Sequence, residues 1–151
     1  MQPTRTQVSA FTTAGPQVRT RNSDEMNPAT ARIGGLWGSY FSQRPPSPDA
    51  RIYGIYSGYE SDAHGAFDMT AAEPVDAASG LPTPDSVRVQ VQGGDYLVFS
   101  GQGAMPQAVI DTWGQVWRYF AEHPQVQRCY GTDFEAYEGA DKVAIHIGVK
   151  G

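Results

Sequence analysis

Residues 105–137 read MPQAVIDTWGQVWRYFAEHPQVQRCYGTDFEAY, and this stretch decides the fold. Its first part, residues 105–122, predicts a helix. Pro106 suits a first helical turn, and Val109, Ile110, Trp113, Val116, Trp117 and Phe120 recur at helical spacing to give one broad apolar face. His123-Pro124 ends it. Residues 128–137 (RCYGTDFEAY) then predict a strand. The same arrangement stands upstream. Leu36-Trp37-Gly38-Ser39-Tyr40-Phe41 closes one helical pattern as Val116-Trp117-Arg118-Tyr119-Phe120 closes the other. Each is followed, after a Pro-containing loop, by a Tyr-Gly pair, Tyr53-Gly54 and Tyr130-Gly131. We therefore expect an internal duplication within a single domain, 1–151, with halves at about 6–75 and 86–150.

Working outward, residues 6–20 predict a strand kinked at Gly15-Pro16, because proline cannot donate to a strand ladder. Asn22-Ser23-Asp24-Glu25 reads as a helix start, with Pro28 as an alternative start. Met26, Ile33, Trp37, Tyr40 and Phe41 follow a helical period. Gly34, Gly35 and Gly38 weaken that helix by about 1 kcal/mol each against alanine. Residues 44–50 form a Pro-rich loop. Residues 51–57 and 66–75 predict strands joined by a turn at 61–65, and residues 76–85 a polar connector. Residues 86–100 alternate as a strand interrupted by a bulge or turn at Gly93-Gly94, and residues 142–149 form the last strand after a turn at 138–141. The order is β-α-β-β, connector, β-α-β-β. The fold class is α+β: two modules in pseudo-twofold relation, an antiparallel sheet carrying two main helices, and a groove between the halves where ligands bind.

Composition narrows the function. The 151 residues carry 11 Lys plus Arg against 16 Asp plus Glu, a formal net charge of −5. A chain of this balance lacks the basic footprint of a general nucleic-acid binder. No run approaches the roughly 18 apolar residues of a membrane span, no signal peptide opens the chain, and a cytoplasmic location is expected. One cysteine, Cys129, excludes an internal disulfide framework and reads as an inert buried thiol. The phosphate-binding loop, HExxH, CxxC and G-x-S-x-G signatures are missing. With three scattered histidines (His64, His123, His146), no metal, cofactor or catalytic residue is assigned. His123 suits a helix C-terminus, and His146 reads as a hydrogen-bonded sheet residue. Tyr96 and Phe99 read as sheet core, and Glu60-Ser61-Asp62 as a solvated turn. The 3 Trp, 8 Tyr and 6 Phe exceed what a core of this size needs.

Strand alternation puts Asp133, Glu135 and Tyr137 on one face, with Thr132, Phe134 and Ala136 on the other. Two carboxylates so spaced have a bland reading, a solvated edge or an acid paired with a nearby arginine. They also have a functional one, an acid at the floor of an aromatic groove. Desolvation would raise the pKa of such an acid unless a cation arrived, and tyrosine and tryptophan faces would add cation–π attraction of roughly 0.5–2 kcal/mol each.

The run Ile52-Tyr53-Gly54-Ile55-Tyr56 with Tyr59-Glu60-Ser61-Asp62 and Gly65, then residues 94–99, then Trp113, Trp117, Tyr119 and Phe120, then Arg128 with residues 130–137, resembles the GyrI-like small-molecule-binding family. This is also the effector-binding domain attached to AraC-type and related multidrug-responsive regulators. The segment Asp133-Phe134-Glu135-Ala136-Tyr137 is the most specific part. The resemblance implies a duplicated βαββ module with a cleft between its halves. A glutamate there, Glu135 in this sequence, would meet lipophilic cationic small molecules. Carried over, the aromatic walls fall on Trp37, Tyr56, Trp113, Trp117 and Tyr137. The duplicated module leaves no room for a helix-turn-helix among 151 residues, so direct binding to nucleic acid or membrane is not expected. Two alternatives follow from the same resemblance. One is a hydrolase of strained cyclopropane-containing electrophiles, with Glu135 as general base, Tyr137 or Tyr56 as donor, and Glu60 or Asp133 as the second acid. The other is a gyrase-inhibitor-like factor with a protein partner in transcription or DNA topology.

Overall fold

A computed structural model of the chain describes residues 3–27, 29–43, 52–61, 65–75, 86–138 and 141–150. Among these run β1 (Thr4–Val8), β2 (Phe11–Gly15), β3 (Gln17–Thr20), α1 (Asn22–Glu25), α2 (Ile33–Gln43), β4 (Ile52–Ser57), β5 (Phe67–Pro74), β6 (Val87–Val91), β7 (Gly94–Gln102), α3 (Gln107–Glu122), β8 (Asp133–Glu138) and β9 (Lys142–Gly148). The fold is α+β, an open antiparallel sheet with helices on one face. The strands run in the order β1-β7-β9-β8-β4-β5-β2-β6, and β3 joins β5 alongside β2.

The central pair is β4 with β8, in a register that sets Gly54 opposite Glu135 and Ile55 opposite Phe134. Alternation along these strands sorts the core into layers. On the helical face, α3 covers Leu97, Phe99, Val143, Ile145 and Ile147 through its fully buried Val116. On the same face, α2 sets Leu36 and Tyr40 against Phe67, Met69 and Ala71. The opposite face is closed by the β2–β6 pair, whose Val89 and Val91 pack with Ile55, Ala72, Tyr96 and Phe134. Tyr96 and Phe99 are core, as expected. No helix among the described residues is long and apolar enough to cross a membrane.

Four readings need correction. Residues 6–20 are not one kinked strand. β1 pairs with β7 at one end of the sheet, while β2 pairs with β6 and β3 with β5, so the chain breaks at Ser9-Ala10 as well as at Pro16. The first helix is split. Asn22 lies inside the short α1 rather than capping it, since the cap position falls on Arg21 with no side-chain bond, and regular helix resumes at Ile33. There the Glu25 carboxylate serves as a remote cap, accepting from the amides of Arg32 (2.8 Å) and Ile33 (3.1 Å). Third, residues 128–132 are not strand. Tyr130 has φ of 54°, in the left-handed region that ends regular extension, and the strand begins at Asp133. The Tyr-Gly echo is therefore one of sequence only, Tyr53-Gly54 lying in β4 and Tyr130-Gly131 before β8. Fourth, Cys129 is exposed rather than buried. Gly93-Gly94 does mark a turn, and it separates two strands that pair with different partners. Pro28, His64, the loop 44–50, the connector 76–85 and most of the turns at 61–65 and 138–141 lie outside the described residues.

Candidate ligand-binding site

Glu135 is the centre of the site. It stands on β8, on the helical face, and is 3% exposed. Its carboxylate takes three hydrogen bonds, each from a neutral aromatic donor. Tyr56 Oη and Trp113 Nε1 both donate to Oε2 at 2.7 Å, and Tyr137 Oη donates to Oε1 at 2.7 Å. Burial raises the Glu135 pKa above the ordinary carboxyl value, and the bonds from Trp113, Tyr56 and Tyr137 pull it partly back. Burial first, and the Glu135 charge second, push the hydroxyls of Tyr56 and Tyr137 well above the ordinary tyrosine value, which keeps them protonated as donors.

The walls come from both helices. From α2, Trp37 meets Tyr137 edge to face (5.4 Å between ring centroids) and stacks near Phe41 (5.8 Å). From α3, Trp113 meets Tyr56 (5.1 Å) and leans on Trp117 (5.9 Å), which is 40% exposed at the rim. Thus the six residues singled out in the sequence, Glu135, Trp37, Tyr56, Trp113, Trp117 and Tyr137, converge on one place. Across from the acid, Gly54 leaves out a side chain. A Cβ there would lie 2.6 Å from Glu135 Oε1, 2.8 Å from Met69 Cε and 3.2 Å from Trp37 Cζ2. Sequence reasoning passed over this glycine. The only signal was a glycine inside a strand pattern, which marks close approach.

Asp133, two residues before Glu135 on the same face, takes the bland reading, an acid paired with an arginine. It is fully buried, and its Oδ2 accepts from Arg128 Nη2 (2.7 Å) and Tyr59 Oη (2.6 Å) while Oδ1 accepts from the Gly148 amide (2.8 Å). Both its oxygens are thus occupied. Glu60 stands exposed and accepts only weakly from the Ala66 amide, at 3.4 Å. His123 Nδ1 lies 2.8 Å from the Tyr119 carbonyl at the end of α3. His146 lies against Phe134 on the far face of the sheet, its Nδ1 3.1 Å from the Ala144 carbonyl, and burial lowers its pKa.

A family model described as Cass2, integron-associated effector binding protein, matches residues 6–149. The chain belongs to the Cass2 family. Cass2 is a GyrI-like family, so the resemblance drawn from the motif residues holds. The crystal structure of an integron cassette protein from the mobile metagenome of Vibrio cholerae is 41% identical, with a TM-score of 0.89 over 99% of this chain and 96% of that one. Two more distant structures share the fold. One is SAV2435, solved bound to tetraphenylphosphonium (20% identity, TM-score 0.73, 100% of this chain and 95% of that one). The other is a protein from Staphylococcus aureus MU50 (21%, TM-score 0.76, 100% and 99%). A search of curated proteins gives no match.

Proposed function

We propose that this Cass2 protein binds lipophilic organic cations, with the ligand's charge set against Glu135 and its apolar groups against Trp37, Tyr56, Trp113, Trp117 and Tyr137. One observation carries the reading. Glu135 is a buried carboxylate whose hydrogen-bond partners among the described residues are all neutral. A buried ionised carboxylate without a counter-charge is costly, and proteins normally pair it or neutralise it. A bound cation would supply the missing charge, and the surrounding rings would add cation–π attraction of roughly 0.5–2 kcal/mol per face. The tetraphenylphosphonium bound to SAV2435, which shares the fold, is a ligand of this class.

Tetraphenylphosphonium and tetraphenylborate have nearly the same shape and opposite charge, so titrating both against tryptophan fluorescence isolates the electrostatic part. The cation is expected to bind and the anion not to. Glu135→Gln is expected to weaken the cation by at least about tenfold, given the ~2–5 kcal/mol typical of removing one partner of a buried charge pair. Equal affinity for the two ions, or unchanged cation binding in the variant, would overturn the proposal.

A further inference from the structure

The molecule holds a second acidic aromatic cage, and that one is already filled. Asp133, roughly 7 Å along β8 from Glu135 by strand geometry, accepts a tyrosine hydroxyl (Tyr59) as Glu135 does. Unlike Glu135 it is paired with a cation, Arg128, and it is that cation that rings surround. The Arg128 guanidinium carbon lies 4.6 Å from the Tyr130 ring centroid, 5.8 Å from that of Trp117 and 5.9 Å from that of Phe120. The arginine side chain is 6% exposed and its Nη2 bonds Asp133 at 2.7 Å. Its Nε is buried with no acceptor among the described residues, so the rings do part of what hydrogen bonds would otherwise do. Tyr130 reaches over the guanidinium from a left-handed backbone conformation, φ 54°, which is costly for a residue with a Cβ. Trp117 is common to both cages, packed on Trp113 on one side and near Arg128 on the other.

Resting on the reading of Glu135 as a cation site, we propose that Arg128 is a specificity-determining residue. By filling the Asp133 cage from within, it leaves one uncompensated acid for the ligand and restricts the protein to ligands with a single charge centre. Without Arg128, Asp133 and Glu135 would present two carboxylates on one strand face, joined by the Trp113–Trp117 wall. Such a site fits a rigid aromatic dication.

The test compares benzyltriphenylphosphonium with (4-aminomethylbenzyl)triphenylphosphonium, which adds a compact ammonium to the same scaffold. Affinities are read by tryptophan fluorescence in the native protein, Arg128→Ala, Arg128→Ala/Asp133→Asn and Glu135→Gln. The native protein is expected to bind the dication no more tightly than the monocation. Arg128→Ala is expected to shift the ratio toward the dication by about tenfold or more, as a second buried charge pair would. The double variant, whose cage is neutral, is expected to return the ratio to its native value, which loss of packing alone would not do. Should Arg128→Ala not fold, because Asp133 is left buried and unpaired, added ethylguanidinium is expected to restore its thermal transition and to leave that of the double variant unmoved. A folded Arg128→Ala with an unchanged ratio, or no rescue by ethylguanidinium, overturns the inference. If Glu135→Gln abolishes monocation binding while the ratio stays fixed, only the role of Arg128 falls. If Glu135→Gln leaves monocation binding intact, the underlying site assignment falls instead.

Discussion

Gly54 on β4 and Glu135 on β8 face each other in register across the central strand pair, one position without a side chain and the other with an acid. Around them the arrangement is nearly even-handed. Tyr56 lies two residues past Gly54 and Tyr137 two residues past Glu135, and both hydroxyls turn to the same carboxylate. Each tyrosine is met by a tryptophan from a helix distant in sequence, Tyr56 of β4 by Trp113 of α3 and Tyr137 of β8 by Trp37 of α2. The two sides differ at the floor, where one carboxylate occupies the space that two side chains would contest. They differ also at the tryptophans, since Trp113 donates to the acid.

Gly54→Ala therefore tests whether the carboxylate's position matters. The added methyl would meet Glu135 Oε1, Met69 Cε and the edge of Trp37 at 2.6–3.2 Å. Met69 ends in a flexible methyl and can yield, but Oε1 is tied to Tyr137 and must leave that bond to move. Overpacking of this kind costs about 1–3 kcal/mol. Thermal stability should fall accordingly, and tetraphenylphosphonium affinity should drop several-fold more than that of a neutral aromatic probe. A variant that loses stability but keeps cation preference would show that the carboxylate tolerates displacement.

The raised pKa of Glu135 makes a prediction about acid. A group whose folded-state pKa lies above its unfolded value contributes stability that is fully present below the ordinary carboxyl pKa. That contribution is lost as pH rises through the raised folded value. In the unliganded protein, the native chain should thus gain stability relative to Glu135→Gln as pH is lowered through this window. At neutral pH the variant should match or exceed it. Glutamine can accept from Tyr56 and Trp113 through its carbonyl and donate to the Tyr137 hydroxyl, so its bonds remain satisfied. Cation binding should run the other way, tightening as pH rises and the carboxylate ionises. Parallel denaturation curves for the two proteins from pH 4 to 8 would refute the shift.

The aromatic helix and the Asp133-x-Glu135-x-Tyr137 alternation were legible because they depend on local period, which sequence records directly. So was the α+β class, and the six residues singled out do lie together. Less legible was anything set by long-range pairing. The segment 6–20 satisfies a single strand locally, yet β1 pairs with β7, β2 with β6 and β5, and β3 with β5, all far along the chain. Nor does local pattern show that Arg128 belongs to Asp133, that Tyr59 reaches the same acid from 74 residues away, or that Glu25 caps a helix eight residues on. The Tyr130-Gly131 pair looks like Tyr53-Gly54 in sequence, but Tyr130 stands before the strand at φ 54°, its ring 4.6 Å from the Arg128 guanidinium.

The glycines of α2 offer a last test, of whether that helix is kept soft. A Cβ at Gly34, Gly35 or Gly38 would meet nothing within 4 Å, and all three positions are exposed, so packing does not require glycine there. Alanine at each should stabilise the helix by about 0.5–1 kcal/mol. For a domain of this size each kcal/mol is worth roughly 2–4 °C in Tm, so the triple variant should melt several degrees higher. The same helix carries Trp37, which reaches the site through ring contacts. If backbone freedom in α2 lets that ring adapt to ligands of different shape, the stiffened variant should bind a narrower panel of cations while keeping its preference for cations over anions. A higher Tm with an unchanged panel would leave the glycines as a stability cost unconnected to recognition.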